Sequence, residues 1–369
     1  MDALLHARGW DQLSTDLDSL DRALTGLNKT WQDVEGATHA LTLNIANQAF
    51  AQRGWPVEQA YLDAIARAFG AGLGLADFET AADEARQAIN TWVARQTANR
   101  IPDLLSPEDV TALTRLILVN AIYFKANWAR EFDPDQTRSR AFTRLNGSAV
   151  NVPVMTLVGQ QDIPLATGSG WQATELRFAA PGQDFAQDAS SPSSLAMTLI
   201  LPDSLAAFEK GFGTARLTSI TSALAAERKR LQKVTRAGAE DCGTYAYAVK
   251  LFMPRFSTET QADLVPVLRA LGMTDAVDPA RADFTGITKA VPPIYISKVI
   301  HQANIDVDEK GTEAAAATAV EMGVGGCTGP SPAKIRTLKL DRPFLFLIRD
   351  LDSGAILFMG RVVDPSAKG

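Results

Sequence analysis

The chain has only three histidines and two cysteines among its 369 residues. Two thiols, Cys242 and Cys327, cannot make a disulfide framework. No CxxC or HExxH occurs and no residues have metal-ligand spacing, so neither a metal nor another cofactor is expected. No GxSxG elbow is present, and "GVGG" (323–326) lacks the strand–turn–helix setting of a phosphate cradle. Cys327 and His301 are residue types that can form a thiol–imidazole pair. That thiol lies in a Gly/Pro/Ser stretch, whereas catalysis needs held geometry, so the expectation is an exposed cysteine in a loop and no enzyme. No apolar run reaches the roughly 18 residues of a membrane span, which removes the membrane as an expected partner. Lys and Arg number 36 against 42 Asp and Glu, and a net charge of −6 gives no reason to expect nucleic acid. The N-terminus lacks the charged start and apolar core of a signal peptide. No repeat of about 20–50 residues recurs, which excludes a solenoid.

What is present is ample for a core, at 46% hydrophobic residues, in one large domain or two ordinary ones. The first 105 residues read mainly as helix: Leu13, Leu17, Leu20 and Leu24 recur near helical spacing, and Ala85, Ile89, Trp92 and Val93 share one helical face. "ALTLNIANQAFAQ" (40–52) alternates in its first half, as a strand would. From residue 114 the texture changes. "TRLILVNAIYF" (114–124) reads as a strand buried on both faces. Further strands are expected at 149–158, 172–178, 194–201, 244–253, 294–300, 303–308, 335–340, 343–350 and 355–362, with helices at 215–236 and 261–271. The basic run "ERKRLQKVTR" (227–236) reads as a solvated helix face rather than a polyanion site. Helices first, strands later and no regular βαβ alternation predict an α+β fold.

Residues 309–322, "EKGTEAAAATAVEM", are bland. If 312–322 are extended, Thr312, Ala314, Ala316, Thr318, Val320 and Met322 share one uncharged face, and both glutamates, Glu313 and Glu321, fall on the other. Alanine is also the best helix former, and Thr312 can cap a helix from Glu313. Periodicity does not choose between them; a segment able to take either state fits a conformational switch.

From about residue 40 onward the chain resembles the serpins. "TRLILVNAIYFKANW" (114–128), "FMPRFS", "ADLVPVLRALGMTDAV", "ADFTGI", "YISKVIHQANIDVDEKGTEAAAATA" (295–319) and "RPFLFLIRDLDSGAILFMGRVVDP" occur in family order. The resemblance implies a single domain over 1–369 with N-terminal helices, a large mixed or antiparallel central sheet and an exposed reactive-centre loop at 309–333. It implies a metastable inhibitor of a serine endopeptidase. Cleavage of the loop leaves an acyl-enzyme, and the freed hinge inserts into the sheet and traps the protease. Glu309, Gly311, Thr312, Glu313, Ala314, Ala315, Ala316, Ala317 and Thr318 match the hinge. Asn120 and His301 match a polar pair where the strands open, Trp128 the tryptophan at the point of first insertion, and Arg255 the basic partner of Glu309. Counting from Gly311 puts the scissile bond at Gly325–Gly326, with Val324–Gly325, Gly326–Cys327 and Cys327–Thr328 left open. No Arg or Lys lies in 311–333, which points to a protease that accepts small or apolar residues. Readings held beside this are a non-inhibitory serpin and an inhibitor of a papain-like cysteine protease. A monomer and an extracellular setting are expected from the family. Family members start with two helices and a strand for which this chain has no counterpart; a start upstream of Met1, with an exposed apolar patch in this chain, is the expectation.

Overall fold

The computed structural model describes residues 9–32, 38–69, 72–160, 163–180, 193–241, 247–289, 293–312 and 334–367; for residues 10–11, 68–69, 159–160 and 232–241 it describes the backbone alone. In chain order the elements are α1 (Trp10–Thr25), β1 (Lys29–Gln32), β2 (Thr38–Gln52), α2 (Gln59–Phe69), β3 (Leu73–Ala76), α3 (Ala82–Gln96) and β4 (Leu116–Asn127). There follow β5 (Arg138–Thr143), β6 (Ala149–Gln160), β7 (Leu165–Gly168), β8 (Trp171–Arg177), β9 (Leu195–Pro202), α4 (Leu205–Lys210) and α5 (Thr214–Asp241). The chain continues through β10 (Ala248–Pro254), β11 (Phe256–Asp263), α6 (Val265–Ala270), β12 (Ile300–Val307), β13 (Gly311–Thr312), β14 (Ile335–Lys339), β15 (Phe344–Asp350) and β16 (Ile356–Val362).

Among the described residues the strands form three sheets. The largest has the order β1-β2-β4-β13-β12-β11, with β3 added beside β2. It is mixed, because β4 and β12 run parallel while β2 and β13 run antiparallel to β4. The second sheet is β14-β10-β6-β5 and the third is β16-β15-β9-β8-β7. In the third sheet β9 and β15 are buried along their whole length. One face packs into the main core with Met253 and Phe256, and the other is covered by Ile220 and Leu224 of α5. This double burial is why "LAMTLILP" and "FLFLIRD" are nearly continuous apolar runs.

α3 lies on the central sheet. Its Ala85, Ile89 and Val93 pack with Ile117, Val119 and Ala121 of β4 and with Ile300. Trp92 is only partly buried there. The opposite face of β4 is open at its lower end: Leu118 is 37% exposed, and Ile122 and Asn120 are half-buried. Here the expectation of burial on both faces is corrected, since Leu118 is exposed while Ile117 and Val119 are buried. Other corrections are local. The first 105 residues hold β1, β2 and β3 besides helices. Residues 294–299 are not strand. Their backbone bonds to the neighbouring loop instead, with the Leu264 N–H donating to the Val299 carbonyl and the Ile296 N–H to that of Ala276. The helix expected from 261 begins only at Val265, because residues 256–263 are held as β11 against β12. Pro266 sits in its first turn, where a missing N–H costs nothing. In the basic run of α5, Arg228 turns inward to the buried Glu175 at 2.7 Å, while Lys229 and Arg230 are exposed.

Candidate functional site

The site is the place where the central sheet comes apart. At its lower end β4 and β12 pair directly, from Ile300 opposite Val119 to Ala303 opposite Ile122. At the upper end β13 stands between them: Gly311 pairs with Asn127, Thr312 with Ala126, and Val307 with Thr312. Among the described residues no ladder pair joins Tyr123–Lys125 of β4 to Asn304–Asp306 of β12. The two strands are therefore parted over that stretch, with Gly311 and Thr312 seated at its mouth.

A turn at 308–311 puts them there. The Asp308 carboxylate accepts from the backbone N–H of Lys310 (2.9 Å) and of Gly311 (3.2 Å), and the Asp308 N–H donates to the Gly311 carbonyl at 3.0 Å. Burial pushes the Asp308 carboxyl above its ordinary value, and those two donors oppose the shift without reversing it. Gly311 has φ +153°, and a Cβ at this position would lie 2.0 Å from the Ala126 carbonyl oxygen and 2.8 Å from the Asn127 Cα. Only glycine lets the two backbones approach so closely. Thr312 is 1% exposed, and its hydroxyl accepts from the Ala126 N–H at 3.1 Å.

The walls of the mouth are aromatic and ionic. Trp128, fully buried, donates its indole N–H to the Asp308 carbonyl (2.9 Å) and its backbone N–H to that of Lys310 (2.8 Å). Its ring stacks on Phe178 at 4.8 Å. Glu309 is 4% exposed and receives Arg255 at 2.7 Å together with the Thr137 hydroxyl. Arg255→Ala leaves that carboxylate buried with a single neutral donor. The arginine side chain is 46% exposed, so water screens part of the loss and the expected cost is about 1–2 kcal/mol. A thermal melt should fall by roughly 1–3 °C.

At the lower end a polar chain crosses the ladder. The Asn120 amide donates to the Asn47 side-chain oxygen at 2.7 Å, which turns its own oxygen toward His301 Nδ1 at 2.9 Å. That oxygen can only accept, so Nδ1 carries the proton. Burial holds the His301 imidazole below its usual value. A histidine in solution titrates near about pH 6.5, so through the window between the two values the folded chain binds fewer protons than the unfolded one. The stability owed to neutral His301 is complete above the unfolded value and is lost as the pH falls through the folded one. Between about pH 7.5 and 5.5 the melting temperature should fall further for the wild type than for His301→Gln, which keeps an amide donor for Asn120. Asp308 and Glu131, both raised by burial, act in the opposite sense in both chains, so the difference between the two profiles reports His301.

Over the other face of the sheet, α3 and the segment after it bridge the parting. Asn44 of β2 donates to the Gln96 carbonyl (3.3 Å), Asn304 of β12 to that of Arg100 (2.9 Å), and Arg100 pairs with Asp306 at 3.2 Å.

Asn120, Trp128, Arg255, His301, Glu309, Gly311 and Thr312 are thus brought to one strip of the sheet, with Trp128 and Glu309 at the mouth and Asn120 and His301 below it. The remaining hinge residues, Glu313, Ala314, Ala315, Ala316, Ala317 and Thr318, lie outside the described residues, as do Val324, Gly325, Gly326 and Cys327. Residues the sequence reading did not single out are Asn47, Thr137, Phe178, Asn304 and Asp308. Asn47 carried a signal: "NIANQAF" and "LVNAIYF" each place an asparagine inside an apolar strand, and the two asparagines pair across the ladder. Among the described residues no cluster of His, Cys, Asp and Glu could hold a metal, and no helix is long and apolar enough to cross a membrane.

Residues 3–365 match the family model described as serpin, serine protease inhibitor. This chain is a serpin. It is 32% identical to human Serpin B12 over 331 residues, which cover 88% of this chain and 73% of that one. Its fold is similar to that of native protease nexin-1 with heparin, at TM-score 0.71 and 25% identity, over 99% of this serpin and 85% of that chain. It is likewise similar to Arabidopsis AtSerpin1, described as native and stressed, at TM-score 0.69 and 25% identity, over 99% and 84% of the two chains. The α+β serpin fold expected from the sequence is the one found.

Proposed function

We propose that this serpin is a single-use inhibitor of serine endopeptidases, with residues 309–333 as the reactive-centre loop of a single domain. One observation carries the reading: Gly311 and Thr312 already stand as a strand between β4 and β12, and the ladder beyond them is unjoined as far as Ile122 and Ala303. In the proposed mechanism the residues after Thr312 prolong this strand between β4 and β12. In the proposed sequence a protease attacks a bond in 313–333 and forms an acyl-enzyme. The freed hinge then follows Thr312 downward, gaining ladder bonds worth roughly 0.5–1.5 kcal/mol net each. To continue it must part Ile300–Ala303 from Val119–Ile122, which breaks the His301–Asn120 bond across that ladder and shifts the bridge over α3. Strand formation drags the protease away from the mouth before hydrolysis finishes. The relative described as stressed, with its closely similar fold, supports a starting state of this kind.

The absence of Arg and Lys from 311–333 directs the target choice to proteases that accept small or apolar residues, of the elastase or subtilisin type. Val324 before the cut also suits a papain-like cysteine protease, which keeps that reading alongside. Incubation with subtilisin, elastase and papain followed by denaturing electrophoresis tests all of this. An SDS-stable adduct with a serine protease is expected. Cleavage within 313–333 without any adduct means a substrate and not an inhibitor.

A further inference from the structure

The second sheet presents an unusual face. In a protein of net charge −6, none of β5, β6, β10 and β14 contains an Asp or Glu, while together they carry Arg138, Arg140, Lys250, Arg336 and Lys339. Three of these cations gather on one ring: Arg140 lies 4.8 Å from the centre of Phe252, the Lys250 ammonium 5.3 Å and that of Lys339 5.9 Å. Arg336 has Glu227 of α5 at 3.9 Å, and Asp341 beyond β14 is taken by Arg342. Arg140, Lys250 and Lys339 have no carboxylate partner among the described residues. The face of an aromatic ring offsets only about 0.5–1 kcal/mol of repulsion per exposed cation. Like charges held together without a counter-charge attract an anionic surface.

Position narrows the choice. β14 begins at Ile335, directly after the segment proposed as bait, and Ile335 pairs with Ala248, Thr337 with Lys250 and Lys339 with Phe252. At about 3.3 Å per residue, the Lys250 and Lys339 positions stand roughly 7–13 Å along the sheet from that junction, and Arg140 reaches the same ring from β5, so the cluster falls within the footprint of a protease attacking the segment. The flanking surface is apolar, with Ile335 56% and Val158 53% exposed. A sulfated glycan gains nothing from exposed Ile335 and Val158, whereas a protein surface buries them.

We propose that this sheet is a docking surface for an acidic patch on the attacking protease. It sets the rate of encounter and selects acidic-surfaced enzymes. The proposal rests on the bait reading of 313–333. Its test therefore counts loss of the intact chain, which registers encounter whether or not the protease is then trapped. The probes are subtilisin and subtilisin whose lysines have been succinylated, each rate being divided by that enzyme's rate on a neutral chromogenic peptide. At about 50 mM salt the normalised rate should be about tenfold higher for the succinylated enzyme, falling to within about twofold at about 0.5 M. The same collapse is expected at low salt in Arg140→Ser/Lys250→Ser/Lys339→Ser, and in Lys339→Glu alone should the triple variant not fold. Equal normalised rates for the two enzymes overturn the proposal. So does salt-sensitive retention on immobilised heparin, lost in the variant, without any effect of protease charge; that result assigns the face to a glycan. An absent SDS-stable adduct with a normal charge effect overturns the trapping reading and leaves the docking surface standing.

Discussion

On the proposed mechanism, Ala314→Arg should turn the protein from a trap into a substrate. Thr312 lies opposite Ala126 and Val307, and all three are buried on one face. Directly opposed residues point the same way, and the next residue on that face is two positions on. Ala314 must therefore follow Thr312 into the core during insertion. An unpaired guanidinium there costs several kcal/mol. If the insertion barrier feels half of about 4 kcal/mol, insertion slows by roughly 30-fold while hydrolysis of the acyl-enzyme is untouched. The share of chains in SDS-stable adduct should drop at least about tenfold, with free cleaved chain in its place. On the proposed mechanism residue 314 enters the sheet only after cleavage, so the uncleaved variant should melt with the wild type. Glu313→Lys, on the other face, should leave partitioning within about twofold. Equal loss in both variants would remove the alternation from the account.

Gly311→Ala acts on the intact state instead. Its methyl would meet the Ala126 carbonyl oxygen at 2.0 Å, and all three nearest atoms are backbone, so relief requires withdrawal of β13. Withdrawal breaks the Thr312 pairing with Val307 and strips the buried Ala126 N–H of the Thr312 hydroxyl. An unsatisfied buried group costs about 1–3 kcal/mol, and the strained φ adds about 1–3 more. A melting temperature lower by roughly 3–8 °C is expected, together with slower adduct formation, because β13 then starts outside the sheet. A melt unchanged to within a degree or so would mean that Gly311 does not sit in the sheet in solution.

How far the sequence was legible depended on what holds each element. β9 and β15 are long apolar runs because burial holds them on both faces, and burial leaves its mark on composition, whereas the equally apolar β4 is buried on one face only at its lower end. β5 ("RSRAFT") and β11 ("FSTETQAD") were not expected as strands. They lie at sheet edges, where ladder bonds to β6 and β12 do the holding and side chains are free to be polar. Residues 294–299 show the reverse error: an alternating pattern without a partner strand. In the site, Glu309, Trp128 and His301 were reached through family resemblance, and no local property of the sequence marks them. The Asp308 turn and the bridge from α3 to Asn44 and Asn304 depend on segments distant in sequence meeting in space, which periodicity does not encode. The small residues after Gly311 were readable in pattern and ambiguous in meaning. Only the pairing of Thr312 with Ala126 and Val307 gives the strand phase a direction.

The most direct measurement is the melting of the chain before and after a single cut within 313–333 by a protease that leaves no adduct. Insertion of about ten residues between β4 and β12 would add some 5–15 kcal/mol of ladder bonding, and the nicked protein should melt at least about 6 °C above the intact one. A nicked chain that melts at the same temperature as the intact one would contradict the proposal that the tract beyond Thr312 enters the sheet.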